Sequence, residues 1–192
     1  MSISAPDLQA YREGRAPWKK LKDEIVPVEH FLSERYQVDA RIRFPLNDEP
    51  PDAWLTLAGA ASVGIEVTSA HARAQVEVGK SLAAGAAVPG FIPLPDEAPA
   101  VVFARARKRG RILNSRASVD EIIDRAISSR FQRKNQSKFA GYILLVTAPL
   151  RSSPHRSPDS IRAALSHEAQ LLPFAEVYVL DTARRGMLIQ LK

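Results

Sequence analysis

Cysteine is absent from the 192 residues. Disulfides and thiolate metal sites are therefore excluded. No stretch approaches the roughly 18–20 consecutive apolar residues of a membrane-spanning helix, so no membrane span is expected. The first residues are polar and lack the apolar centre of a signal peptide, which makes a cytoplasmic location the expectation. Internal repeats, a glycine-rich phosphate loop and a nucleophile elbow are all missing, leaving Rossmann and P-loop chemistry without support. The His167-Glu168 pair lacks the second, spaced histidine of a helical metal motif and reads as helix surface.

What is present suits a single domain. Apolar residues make up 45% of the chain, enough to fill a core at this length. Net charge is +6, from 27 lysines and arginines against 21 acidic residues. A basic balance favours a polyanionic partner, nucleic acid first, although it also fits an ordinary basic protein.

Residues 1–17, with Pro6, Gly14 and Pro17, read as an N-terminal arm. From Trp18 to Tyr36 the pattern is helical, with Leu21, Ile25, Val28, Phe31 and Leu32 on one side. Pro27 predicts a kink, or a second helix starting near it. Glu24 falls near the apolar side of this segment and Glu29 at its border. Val38–Phe44 alternates as a strand. Pro45, Asn47, Asp48, Pro50 and Pro51 then form a rigid loop that delivers Asp52.

Residues 51–68, PDAWLTLAGAASVGIEVT, organise the remainder. Trp54, Leu55 and Leu57 form a short strand, and Ala58-Gly59-Ala60-Ala61 a turn. Val63, Ile65 and Val67 alternate with Gly64, Glu66 and Thr68, a strand period. The antiparallel return of such a hairpin brings Asp52 near Glu66. Two adjacent carboxylates repel unless a cation or proton lies between them, and a hard, oxygen-seeking ion such as Mg2+ suits the gap.

Residues 69–84 read as an amphipathic helix carrying His71, Gln75 and Lys80. The Pro/Gly-rich loop at 85–100 is long for a compact domain and has the character of a lid or mobile segment. Residues 101–116 hold Arg105, Arg107, Lys108, Arg109, Arg111 and Arg116, whose forks suit phosphate oxygens. Phe103 is the one ring nearby, so backbone binding rather than base reading is expected there. Ser118-Val119-Asp120-Glu121 is a capping box, and the helix it starts is predicted to run to about Phe139. Its apolar stripe, Val119, Ile122, Ile123, Ala126, Ile127 and Phe131, continues to Lys134 and Lys138. Lysines on a core-facing stripe either snorkel to water or serve a site at the end of the sheet, beside Asp52 and Glu66. Gly141–Thr147 reads as a central strand. Asp159 or Ser160 should cap a helix to about Leu171, and strands are expected at Ala175–Leu180 and Gly186–Leu191.

Pro51-Asp52 with Glu66-Val67-Thr68 resembles the PD-(D/E)xK nuclease superfamily, in its divergent branch ending E-x-T. The resemblance covers residues 18–192 and implies a restriction-endonuclease-like α/β fold, a central mixed sheet flanked by helices. It implies a metal-dependent nuclease that hydrolyses phosphodiester bonds in nucleic acid. Mg2+ or Mn2+ would be held by Asp52 and Glu66, with Glu24 or Glu29 as an added carboxylate from the first helix. Lys134 or Lys138 would replace the lysine missing at Thr68, and the arginines of 105–116 would hold the strand. Cleavage of both strands of a duplex would call for a homodimer. Thr68 also suits the alternative, a catalytically inactive nucleic-acid-binding or protein-interaction module on the same fold.

Overall fold

The computed structural model describes residues 21–36, 40–45, 49–70, 116–181 and 187–192. The expected arm, the 69–84 helix beyond Ala70, the 85–100 loop and the basic stretch through residue 115 lie outside them. A wide helical turn, Leu21–Ile25, leads into α1, Val26–Arg35. Pro27 sits in the first turn of α1, where its missing N–H costs nothing. Strands β1 (Ala40–Arg43), β2 (Ala53–Leu57) and β3 (Val63–Ser69) follow. Ser69 thus ends a strand instead of opening a helix. Gly59 takes the left-handed backbone that the β2–β3 turn requires, with φ of +75°.

Helix α2 spans Arg116–Lys134 and is followed by β4 (Ile143–Ala148), α3 (Pro158–Gln170), β5 (Glu176–Asp181) and β6 (Leu188–Gln190). The strands form one six-stranded sheet in chain order. β1–β2–β3 is an antiparallel meander, β3–β4–β5 is parallel, and β6 returns antiparallel. Parallel neighbours need long crossovers, and α3 is carried on the one between β4 and β5.

Helices cover both faces, as a mixed α/β architecture demands. On one face α2 and α3 bury Ile123, Ile127, Phe131, Ile161 and Leu165 against Leu144, Val146, Val177, Val179 and Ile189. On the other, Val28 and Phe31 of α1 pack on Leu55, Ile65, Val67, Ile143, Leu145 and Tyr178. All six residues of β4 are buried, which explains its uninterrupted apolar reading. Arg35 Nε donates to Tyr178 Oη at 3.1 Å, and that hydroxyl donates to Glu176. Burial and the Glu176 bond push the Tyr178 phenol up to about 12, so it stays a donor that ties α1 to β5.

Further boundaries differ from expectation. Ser157, not Asp159 or Ser160, caps α3, its Oγ accepting from the Ser160 N–H at 3.2 Å. Pro158, pre-set for helix and lacking an N–H, takes the first turn and moves the start forward. Helix α2 begins ahead of the Ser118 box and stops at Lys134, short of Phe139. Gln136 is extended, and a tight turn at Ser137–Phe139 follows. The break lets Phe139 enter the core and stack on Phe174, ring centroids 5.4 Å apart.

A polar clamp fixes α2 to the β4–α3 connection. Arg156 forks onto Asp124 at 2.7 and 2.8 Å. Asp120 accepts from Ser153 and pairs with His155 Nε2 at 3.2 Å. Burial would raise the Asp120 carboxyl, but the bonds from Ser153 and His155 outweigh it and hold the group below the usual aspartate range. A depressed folded value stabilises above the unfolded value and is lost as pH falls through it. Asp120→Asn is expected to cost about 1–3 kcal/mol at neutral pH. Denaturant titrations should show that loss shrinking in strong acid. An undiminished loss there would assign the effect to packing.

Candidate active site

The hairpin positions two carboxylates. Ala53 pairs with Ile65 across β2–β3, so the same register, extended by one residue, sets Asp52 opposite Glu66. Side chains of opposed residues share a face, here the α2 side of the sheet, since Ile65 and Val67 point to the α1 side. The Val67 N–H donates to Asp52 Oδ2 at 2.7 Å. Backbone adjacent to Glu66 therefore holds the Asp52 carboxylate in place.

Glu66 is 5% exposed. Lys134, the last residue of α2, donates from Nζ to Glu66 Oε1. Glu66 Oε2 is buried and, among the described residues, has no hydrogen-bond partner. Burial pushes the Glu66 carboxyl above the usual range, the Lys134 bond opposes that rise, and the neighbouring Asp52 charge adds to it. A buried oxygen without a partner ordinarily costs stability, so its retention points to a ligand for that lone pair.

A cavity of about 290 Å3 opens at this point. Glu24, Glu49, Pro50, Asp52, Glu66 and Val67 line it, with Lys134, Lys138 and Phe139. Among the described residues the lining carries the carboxylates Glu24, Glu49, Asp52 and Glu66 against Lys134 and Lys138, a net negative balance that favours a cation. Lys138 reaches it from the turn after α2, not from a continuing helix, with Nζ 4.9 Å from the centre of the Phe139 ring. Lys134 Nζ stands 5.2 Å from that same ring.

The structure thus gathers Asp52, Glu66, Lys134, Lys138 and Glu24. Glu29 is exposed on α1 and takes no part in the cavity wall. Arg105, Arg107, Lys108, Arg109 and Arg111 lie outside the described residues, and Arg116 contributes backbone to the start of α2. Thr68 is half-buried, its carbonyl accepting from Thr147 Oγ1 at 3.4 Å. Glu49 is an addition to the residues expected at the site. Its one signal was its place in the proline-rich loop that delivers Asp52.

Among the described residues, no three or more His, Cys, Asp or Glu side chains are grouped closely enough to cage a metal by themselves. Mg2+ is commonly held by one or two carboxylates while it keeps waters or takes substrate phosphate oxygens. The Glu66 and Asp52 carboxylates are oxygen donors that could serve such an ion at this cavity. Also among the described residues, no helix is long and apolar enough to cross a membrane.

Compared with protein-family models, curated proteins and solved structures, the chain has no significant match to any.

Proposed function

We propose that the protein is a metal-dependent nuclease with a restriction-endonuclease-like core. The observation that carries this reading is the buried, unpartnered Oε2 of Glu66 beside Asp52, in a cavity that also contains two lysines. Support comes from the element order as well: helix, antiparallel meander, then a helix leading to a strand parallel with the third.

Asp52 and Glu66 would hold Mg2+ or Mn2+, and Glu24 and Glu49 line the same cavity. When bound, the metal supplies Lewis-acid polarisation of a phosphoryl oxygen and lowers the pKa of water. Lys134 keeps Glu66 oriented and brings an ammonium into the cavity, where developing phosphate charge would be stabilised. Lys138 adds a second positive charge on the same wall. Hydrolysis adds water oxygen to phosphorus and breaks the bond to the departing sugar oxygen, leaving a phosphomonoester and an alcohol. Lys134 thereby takes the role that Thr68 cannot fill.

One observation favours a second reading. The Lys134 ammonium already neutralises one Glu66 oxygen, which fits an internal ion pair in a non-catalytic nucleic-acid-binding module. Calorimetric titration with Mg2+ and Mn2+ separates the two. Binding is expected in the wild type and is expected to vanish in Asp52→Ala. No heat in the wild type, even with a cleavage-resistant oligonucleotide added to supply phosphate, would overturn the nuclease reading.

A further inference from the structure

Helices α2 and α3 cover only part of their face of the sheet. Among the described residues, none covers the part formed by β1 and β2. Arg41 pairs with Thr56 and Arg43 with Trp54 across β1–β2, so these four side chains share one face. Alternation puts that face on the side of Asp52 and Glu66. Both charged residues of β1 are arginines, and both are exposed.

Rings connect this patch to the cavity. The Arg43 guanidinium lies 5.9 Å from the centre of Trp54. Trp54 meets Tyr142 edge-on at 6.0 Å, and Tyr142 meets Phe139 at 6.4 Å. Lys134 and Lys138 then sit over Phe139. Trp54 and Tyr142 are half-buried, whereas Phe139 belongs to the core. Gly64 makes the line possible. A Cβ there would fall 2.9 Å from Tyr142 Cδ1, so only glycine lets that ring rest on β3 beside Trp54.

Half-exposed rings have a use that core packing does not explain. Aromatic side chains flanked by positive charge accept the faces of unpaired bases, while arginines follow the phosphates. Bases within a duplex are stacked on one another and do not offer those faces. We propose that the Arg41–Arg43–Trp54–Tyr142 surface binds single-stranded nucleic acid. Bases stack on Trp54 and Tyr142, and the backbone runs on towards the Glu66–Lys134 cavity. The proposal rests on the nuclease reading for what happens at the end of that path, but binding on the surface needs no metal.

The test is anisotropy of a labelled single strand of about 12 nucleotides, within the usual site-size range. It is carried out in chelator at low salt with wild type, Trp54→Ala, Trp54→Phe and Arg43→Ala, each shown to be folded by its thermal melt. Trp54→Ala is expected to weaken the single strand about ten-fold or more. Trp54→Phe should retain most of the affinity, and Arg43→Ala should lower the salt slope by about one. With Trp18 replaced by Phe, Trp54 is the sole remaining tryptophan, and its emission should be quenched by the strand. The matched duplex should bind more weakly. Equal affinity in wild type and Trp54→Ala, absence of quenching, or tighter binding of the duplex overturns the proposal. Because chelator removes metal, these results stand apart from the calorimetric test, and either reading can fail alone.

Discussion

Glu66→Gln is expected to abolish divalent-metal binding and yet leave the metal-free protein more stable than wild type at neutral pH. The two effects share a cause. Burial, with the Asp52 charge close by, pushes the Glu66 carboxyl above its usual value despite the Lys134 bond. A raised folded value contributes stability below the unfolded value, and that contribution is lost as pH rises through the folded one. At neutral pH the ionised group is therefore a net cost. Glutamine has nearly the same volume, carries no charge to desolvate, and keeps an oxygen that can accept from Lys134. A gain of about 1 kcal/mol is in the range found when a strained functional group is relieved. Denaturant titrations in chelator should show the gain shrinking as pH falls and wild-type Glu66 takes up its proton. Lower stability of Glu66→Gln at every pH would identify Glu66 as a structural ion-pair partner and favour the non-catalytic reading.

Lys134→Met should change stability in the opposite direction over the same pH window. Methionine preserves much of the lysine stem but removes the ammonium from Glu66 Oε1. The remaining carboxylate would be buried beside Asp52 without its Lys134 partner. Breaking a buried pair from one side costs about 3–5 kcal/mol. The lower end is expected here, because Lys134 keeps 24% of its side chain exposed and because Glu66 can escape by taking up a proton. The loss should therefore be largest at neutral and alkaline pH and diminish in acid, the Glu66 carboxyl having moved further up. On the nuclease reading, cleavage should also fall by about 10²–10³, the usual effect of removing one group that stabilises transition-state charge. Lys138→Met, which removes a charge farther from Glu66, should leave stability nearly unchanged. A pH-independent loss in Lys134→Met would mean that packing of the stem, not the ion pair, had been measured.

The parts of this protein that were legible in the sequence are those governed by short-range periodicity. Two-residue alternation around a small-residue turn was enough to bring Asp52 near Glu66, and the strand register put them on one face. The apolar stripe of α2 turned Lys134 inward, because helical phase is fixed by the chain itself. The buried strand β4 could be read from its run of Ile, Leu and Val, and the proline in the first turn of α1 marked where that helix begins.

Other features depended on contacts that local pattern does not encode. Helix α2 ends at Lys134 because Phe139 finds a place against Phe174, a residue from beyond β4 and α3. As a result Lys138 arrives by a turn, although helical phase predicted the same neighbourhood. Glu24 joins the cavity and Glu29 does not. The wide turn Leu21–Ile25 runs into α1 on continuous helical backbone, and how that turn packs on β3 decides which carboxylate faces in. The line from Arg43 through Trp54 and Tyr142 to Phe139 unites β1, β2 and the segment before β4. It exists because β3 and β4 pair in parallel with Ile65 opposite Ile143, which sets Tyr142 next to Gly64. Local sequence determined the faces on which side chains lie. Long-range strand pairing and core packing decided which faces meet, because that choice minimises exposed apolar surface over the whole sheet, not within one element.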